Sequence, residues 1–149
     1  MSQQAFFFDG TRCSGCKTCM FACKDAYDLD VGTAYRRVLE YTGGDTVRNG
    51  DGTFGSTCFS YNVSVACNHC DDPVCVEACP ARALDFGPVG DMEKLGERAD
   101  IAPFPRPEAT VPNLFVKPSA DARPAESKDG VVANLLEVGF RATDKEIME

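Results

Sequence analysis

The chain has 149 residues, 44% of them hydrophobic and 26% charged, with a formal net charge of −8. This length suits one domain with a modest apolar core, and the acidic balance excludes nucleic acid as a partner, since phosphate binding needs a density of Lys and Arg. No apolar run approaches the ~18–20 residues that span a bilayer, and no basic patch followed by an apolar stretch marks a secretory signal at the N-terminus.

In chain order, residues 5–8 (AFFF) form an apolar run that stops at Asp9-Gly10, which predicts a strand and a turn with Phe6, Phe7 and Phe8 in the core. A cysteine-rich loop follows, and residues 17–27 read as a short helix with Cys19 and Cys23 on one face. Residues 35–41 alternate as a strand. Residues 42–55, rich in Gly, Asp and Asn, predict a hairpin tip or mobile loop. Residues 59–66 (FSYNVSVA) form a second strand of β-branched and aromatic residues leading into Cys67. Pro73 is suited to start a short helix bearing Cys75 and Cys79, and Pro80 to end it. Residues 83–86 read as a brief strand able to pair with residues 6–8. Residues 91–98 read as a helix capped by Asp91. Five of the nine prolines lie between Pro103 and Pro118, so the chain from Ala102 is expected to be extended and irregular. Residues 131–138 read as a short amphipathic helix.

The chemistry is concentrated in two cysteine groups. The first is CSGCKTCMFAC, with Cys13, Cys16, Cys19 and Cys23; the second is CNHCDDPVCVEACP, with Cys67, Cys70, Cys75 and Cys79 before Pro80. Each offers three closely spaced thiols and a fourth about one helical turn on, some 6 Å at ~1.5 Å per residue. Gly15 gives the first loop the freedom to curl. The fourth cysteine then points off its own loop, and in bacterial two-cluster ferredoxins it ligates the other cluster. The expected sets are therefore Cys13, Cys16, Cys19 and Cys79 for one 4Fe–4S cluster, and Cys67, Cys70, Cys75 and Cys23 for a second.

Two plainer readings compete. Nine cysteines are about 6% of the chain, below the ~8–10% of small disulfide scaffolds, and their odd number and clustering also weigh against a disulfide framework. A zinc-stabilised cysteine-rich binding module without a redox role is the stronger rival. Zinc ribbons, however, use separated CxxC pairs rather than a triplet followed by CxxxC. Strand, cysteine loop and short helix occur twice. The expected fold is α+β: a bacterial two-cluster ferredoxin-like core with an inserted β-hairpin at about 35–65, spanning residues 1–101, and an extended proline-rich C-terminal tail over residues 102–149.

The residues around the cysteines carry a family resemblance. FFFDGTRCSGCKTCMFACKD, AYRRVLEYTGGD, SVACNHCDDPVC, ACPARALDFGP and IAPFPRPEATVPNLFVKPSADARP resemble the iron–sulfur electron-transfer subunit of the dimethyl sulfoxide reductase family. The match runs from about residue 6 to 134 and includes segments, such as ALDFGP and NLFVKPSA, that no cluster requires. The resemblance implies a non-catalytic subunit that passes electrons to a molybdopterin-containing catalytic partner, with a quinol-oxidising membrane anchor on the other side. It also implies membrane association through partners and a tail that wraps the catalytic subunit, against which a plain flexible linker stands as an equal alternative; the need for free thiols itself points to assembly in the reducing cytoplasm. Family members usually carry four cysteine motifs and four clusters. Here CNHCDDPVC, like the start of the second, runs straight into CVEACPARALDFGP, like the end of the fourth, which leaves thiols for two.

Several single residues complete the reading. His69 lies between Cys67 and Cys70; a histidine ligand raises potential, as in Rieske centres, but four cysteines per site already suffice, so it is assigned a packing or hydrogen-bonding role. Cys58, outside both groups, is expected to be a small buried strand residue. Lys17, Lys24 and Arg82 flank the ligands, where a cation favours the reduced cluster or simply meets solvent. No nucleophile–base set, phosphate loop or nucleotide fingerprint is present.

Overall fold

A computed structural model describes residues 3–137. The strand β1 (Gln4–Asp9) is buried along all but its first residue, as befits a strand covered on both faces. It lies inside a four-stranded sheet of order β6-β1-β8-β7, with β6 at Leu84–Pro88, β7 at Glu97–Arg98 and β8 at Leu114–Lys117. β6 runs antiparallel to β1 with Phe8 opposite Leu84, and β8 runs parallel to it. The expected pairing of residues 83–86 with 6–8 is therefore present, and Phe6 and Phe86 place their ring centroids 4.9 Å apart.

A second sheet pairs β2 (Arg36–Gly43) antiparallel with β5 (Phe59–Ala66), and β9 (Gly130–Val132) adds to the other edge of β2. At its tip, β3 (Thr46–Arg48) and β4 (Phe54–Ser56) close a hairpin. Phe8 from the first sheet, Val38 and Val63 from the second, and Ile101 meet in one core. The fold is thus mixed α+β with few helices and several sheets. The helix α1 (Thr18–Ala26) follows the first cysteine loop, and α2 (Val74–Glu77) lies in the second and packs on it. The strands of the two repeats, β1 and β5, belong to different sheets.

Four local expectations need correction. α2 ends at Glu77, so Cys79 lies beyond it, its N–H turning tightly back to the Val76 carbonyl at 3.3 Å. The helix expected over 91–98 is only α3 (Val89–Met92), entered from Pro88, with Asp91 inside it. Gly96 serves the strand that follows: a Cβ there would sit 2.6 Å from the Val116 carbonyl oxygen, and only glycine allows the approach that lets β7 pair with β8. The helix expected over 131–138 is instead β9 and a turn, Val138 lying outside the described residues. β2 has a free edge there, and after β9 pairs with residues 41–43, the Asn134 side chain continues the ladder by donating to Val38 O at 2.9 Å and accepting from Glu40 N at 2.8 Å.

The proline-rich stretch is the fourth. It contains the four-residue helix α4 (Pro107–Thr110), and then β8 enters the interior of the first sheet with Leu114, Phe115 and Val116 buried. Beyond it the chain crosses the second sheet, where the hydroxyl of Tyr41 donates to Ser127 O at 2.8 Å and Arg123 stacks over Phe59 at 4.1 Å. Among the described residues no helix is long and apolar enough to cross a membrane.

Phe8 is fully buried at the junction of the sheets. Phe8→Ala is expected to cost about 3–5 kcal/mol of unfolding free energy, read as a lower denaturant midpoint at unchanged slope; a loss under 1 kcal/mol would contradict this placement.

Candidate iron–sulfur site

Each cysteine loop is tied to a strand end. At the end of β1 the buried carboxylate of Asp9 accepts from Thr11 N at 2.9 Å, while its carbonyl accepts from Arg12 N and Cys13 N at 3.2 and 3.3 Å. These bonds reverse the chain and aim Cys13 inward. Gly15 has φ +71°, and a Cβ on it would lie 2.6 Å from the Asn62 side chain, so the loop reaches β5 only because the side chain is missing. Lys17 takes a left-handed φ of 62° and opens α1, which places Cys19 in its first turn and Cys23 one turn later. The second loop leaves β5 with Cys67 N donating to Tyr35 O at 3.3 Å, turns at Asn68 (φ 58°), and carries Cys75 on α2. Ala83 N donates to Cys79 Sγ at 3.3 Å.

The thiols gather in two sets. Cys13, Cys16, Cys19 and Cys79 line one pocket, walled by apolar groups that include Phe8, Val38, Pro80 and Leu84. Cys23 instead lies within electrostatic reach of Cys75, Cys70 and Cys67. The sets adjoin, because Cys19 also feels Cys75. In each motif the last two cysteines are buried and the first two are exposed or half-buried, and all eight are free thiols. Among the described residues no three Cys, His, Asp or Glu side chains converge closely enough to hold a lone metal ion; a four-iron cube is wider than an ion and spreads its ligands further apart.

These surroundings fit a thiolate-ligated cluster by their chemistry: soft sulfur donors, an apolar wall, and hydrogen-bond donors facing sulfur. Without a metal, the same burial keeps protons on the inner sulfurs. Desolvation pushes the Cys13, Cys19 and Cys23 thiols above the ordinary value, and neighbouring thiols add to the rise. Cys16 is lowered because Thr18, its hydroxyl 3.3 Å away, stabilises the thiolate. The phenol of Tyr27 lies 3.1 Å from Cys70 Sγ, and that contact drives its pKa up to about 12. Cluster binding must therefore displace protons from the buried sulfurs.

Other assignments fare unevenly. His69 is exposed. Cys58 is not the buried strand residue expected: it is exposed in the link between β4 and β5, and hydrogen bonds from Ser56 and Thr46 lower its pKa. Lys17 contacts Glu137, Lys24 donates to Asp30 O at 2.7 Å, and Arg82 is exposed near the Glu77 carbonyl. The charge that the sequence reading missed is Arg36, only 2% exposed at the start of β2. A two-residue period was the available signal, since it sets Arg36 on the same face as buried Val38.

No protein-family model matches the sequence, but curated relatives do. It is 32% identical to the B subunit of anaerobic dimethyl sulfoxide reductase from Escherichia coli over 204 aligned positions, which take in 92% of this chain and 99% of that protein. It is 33% identical to the corresponding B subunit from Haemophilus influenzae over 93% of its own length and 100% of the relative's. A stretch of 75 residues, 50% of this chain and 32% of the relative, is 37% identical to the formate dehydrogenase iron-sulfur subunit of Wolinella succinogenes. Since 204 aligned positions engage only part of a 149-residue chain, about a third of them face a gap within it, and this chain is the shorter one.

The thiolate is the species that alkylates. As pH rises in metal-free protein, iodoacetamide is therefore expected to modify Cys16 and Cys58 first and Cys13, Cys19 and Cys23 last, by peptide mass mapping. Equal rates at Cys16 and Cys19 across the range would contradict the assigned environments.

Proposed function

This protein belongs to the family of anaerobic dimethyl sulfoxide reductase B subunits, iron–sulfur subunits of oxidoreductase complexes, and from that premise we propose that it relays single electrons through two 4Fe–4S clusters to a molybdopterin-containing catalytic subunit. Cys13, Cys16, Cys19 and Cys79 would hold one cluster, and Cys67, Cys70, Cys75 and Cys23 the other. When bound, such a cluster takes up and gives back one electron without chemistry on an organic substrate. The protein itself catalyses no bond change in this reading.

The observation that carries the proposal is the exchange of fourth cysteines: Cys79 shares a pocket with the first group, while Cys23 lies among the second. The remaining side chains have definite work. Phe8, Val38 and Leu84 exclude water from the first set, which raises the strength of every charge interaction inside. Ala83 N–H, and the hydroxyls of Thr18 and Tyr27, face sulfur, and hydrogen bonds to ligand sulfur set potential. Cys16 and Cys67 are exposed and give electrons their shortest way in and out.

We place the two-cluster ferredoxin-like unit in residues 1–101, with the β2–β5 hairpin inserted in it. Residues 102–149 lend it β8, and their outer part is assigned the partner contact. A quinol-oxidising membrane anchor would supply electrons, so the protein would be assembled in the cytoplasm and held at the membrane by its partners.

Anaerobically purified or reconstituted full-length protein is expected to be brown, with about eight irons and eight acid-labile sulfides per molecule, since each cubane holds four of each. A colourless protein with about two zincs would overturn the proposal in favour of a zinc-stabilised module. Cys79→Ala is expected to remove about half of the iron and sulfide; unchanged content would show that the fourth cysteines are not exchanged in this way.

A further inference from the structure

Arg36 sits at the start of β2, where it pairs with Ala66, the residue before Cys67. The residue is 2% exposed. Nη1 donates to the Ser64 hydroxyl at 2.8 Å, and Ser64 lies 3.8 Å from Cys19 Sγ. With one oxygen lone pair engaged by Arg36, the Ser64 proton is free to turn toward sulfur. Arg36 also lies over the Phe6 ring at 5.2 Å. That contact is a weak partial compensation for burying a charge.

An arginine cannot shed its charge, so it needs an anion. Among the described residues no carboxylate pairs with Arg36, and its Nε and Nη2 atoms are buried without a hydrogen-bond partner. A buried cation left alone is strongly unfavourable. Its charge acts on the thiols of Cys19 and Cys23, one from each proposed set. Arg12 is exposed, where a charge at high dielectric counts for little, and the half-buried Lys24 spends its ammonium on the Asp30 and Thr33 carbonyls.

We propose that Arg36 is the shared counter-charge of the two cysteine sets: a positioning residue that holds Cys19 through Ser64 and favours the reduced, more negative state of the clusters. The inference rests on the cluster reading above. One fixed positive charge between the sets neutralises part of the negative charge that thiolate ligands bring, and net charge and hydrogen bonding to sulfur are the means by which a protein sets such potentials.

The test compares wild type, Arg36→Met and Arg36→Lys, each as the full-length protein reconstituted anaerobically, with iron, labile sulfide and an electron paramagnetic resonance redox titration as readouts. Arg36→Met is expected to shift the reduced-to-oxidised ratio of at least one cluster about tenfold toward oxidised at fixed ambient potential, equivalent to about 59 mV for one electron. Arg36→Lys is expected to stay within about threefold of wild type. Failure of the Met variant to load clusters, with the Lys variant loading and titrating as wild type, also supports a requirement for charge. Wild-type potentials in both variants would overturn the proposal, as would a Lys variant that fails to load or shifts as far as Met. If wild type itself takes up no sulfide, the cluster reading fails and this inference falls with it.

Discussion

The proposed function requires eight thiols from two segments separated by more than forty residues of intervening sequence to meet, and the sheets are what bring the two segments together. Neither segment has enough regular structure to hold itself: α1 has nine residues and α2 four, too short to persist alone in water. The sheets supply the rigidity. β1 launches the first cysteine loop and β5 the second, and β6 returns from the second loop to pair with β1. That pairing closes the first pocket, because it brings Cys79 and Leu84 across to Cys13 and Phe8.

The same frame makes sense of an internally shortened chain. Residues 83–88, which follow the second cysteine group, pair with β1, and the distant β8 occupies the interior of the sheet on its other side. In the proposed reading, the two cysteine groups together supply four sulfurs to each set.

Elements whose own residues dictate them were legible in the sequence. β1, α1, β2, β5 and β6 follow from apolar runs and alternation, and the cysteine spacings point to the two thiol groups. The failures share a cause: they depend on contacts far along the chain. Residues 97–98 leave the expected helix to pair with β8, Gly96 allowing the approach of Val116; β9 forms because β2 offers it an edge, and the prolines of 103–118 do not prevent the four residues Leu114–Lys117 from being a core strand. Arg36 reads as one of two adjacent arginines, and the two-residue period that sets it beside Val38 is a weak signal until the packing of β2 on Phe6 shows it buried. Cys58 misled in the opposite direction, since its β-rich surroundings suggested burial while the backbone there is an exposed link between strands.

The most direct test of this account is anomalous diffraction at the iron edge from crystals of the anaerobically prepared full-length protein. The account predicts two compact iron peaks, one bounded by Cys13, Cys16, Cys19 and Cys79, the other by Cys67, Cys70, Cys75 and Cys23. Peaks each enclosed by a single motif, with Cys23 beside Cys19 and Cys79 beside Cys75 as ligands of one centre, would contradict it, as would crystals without iron at either place.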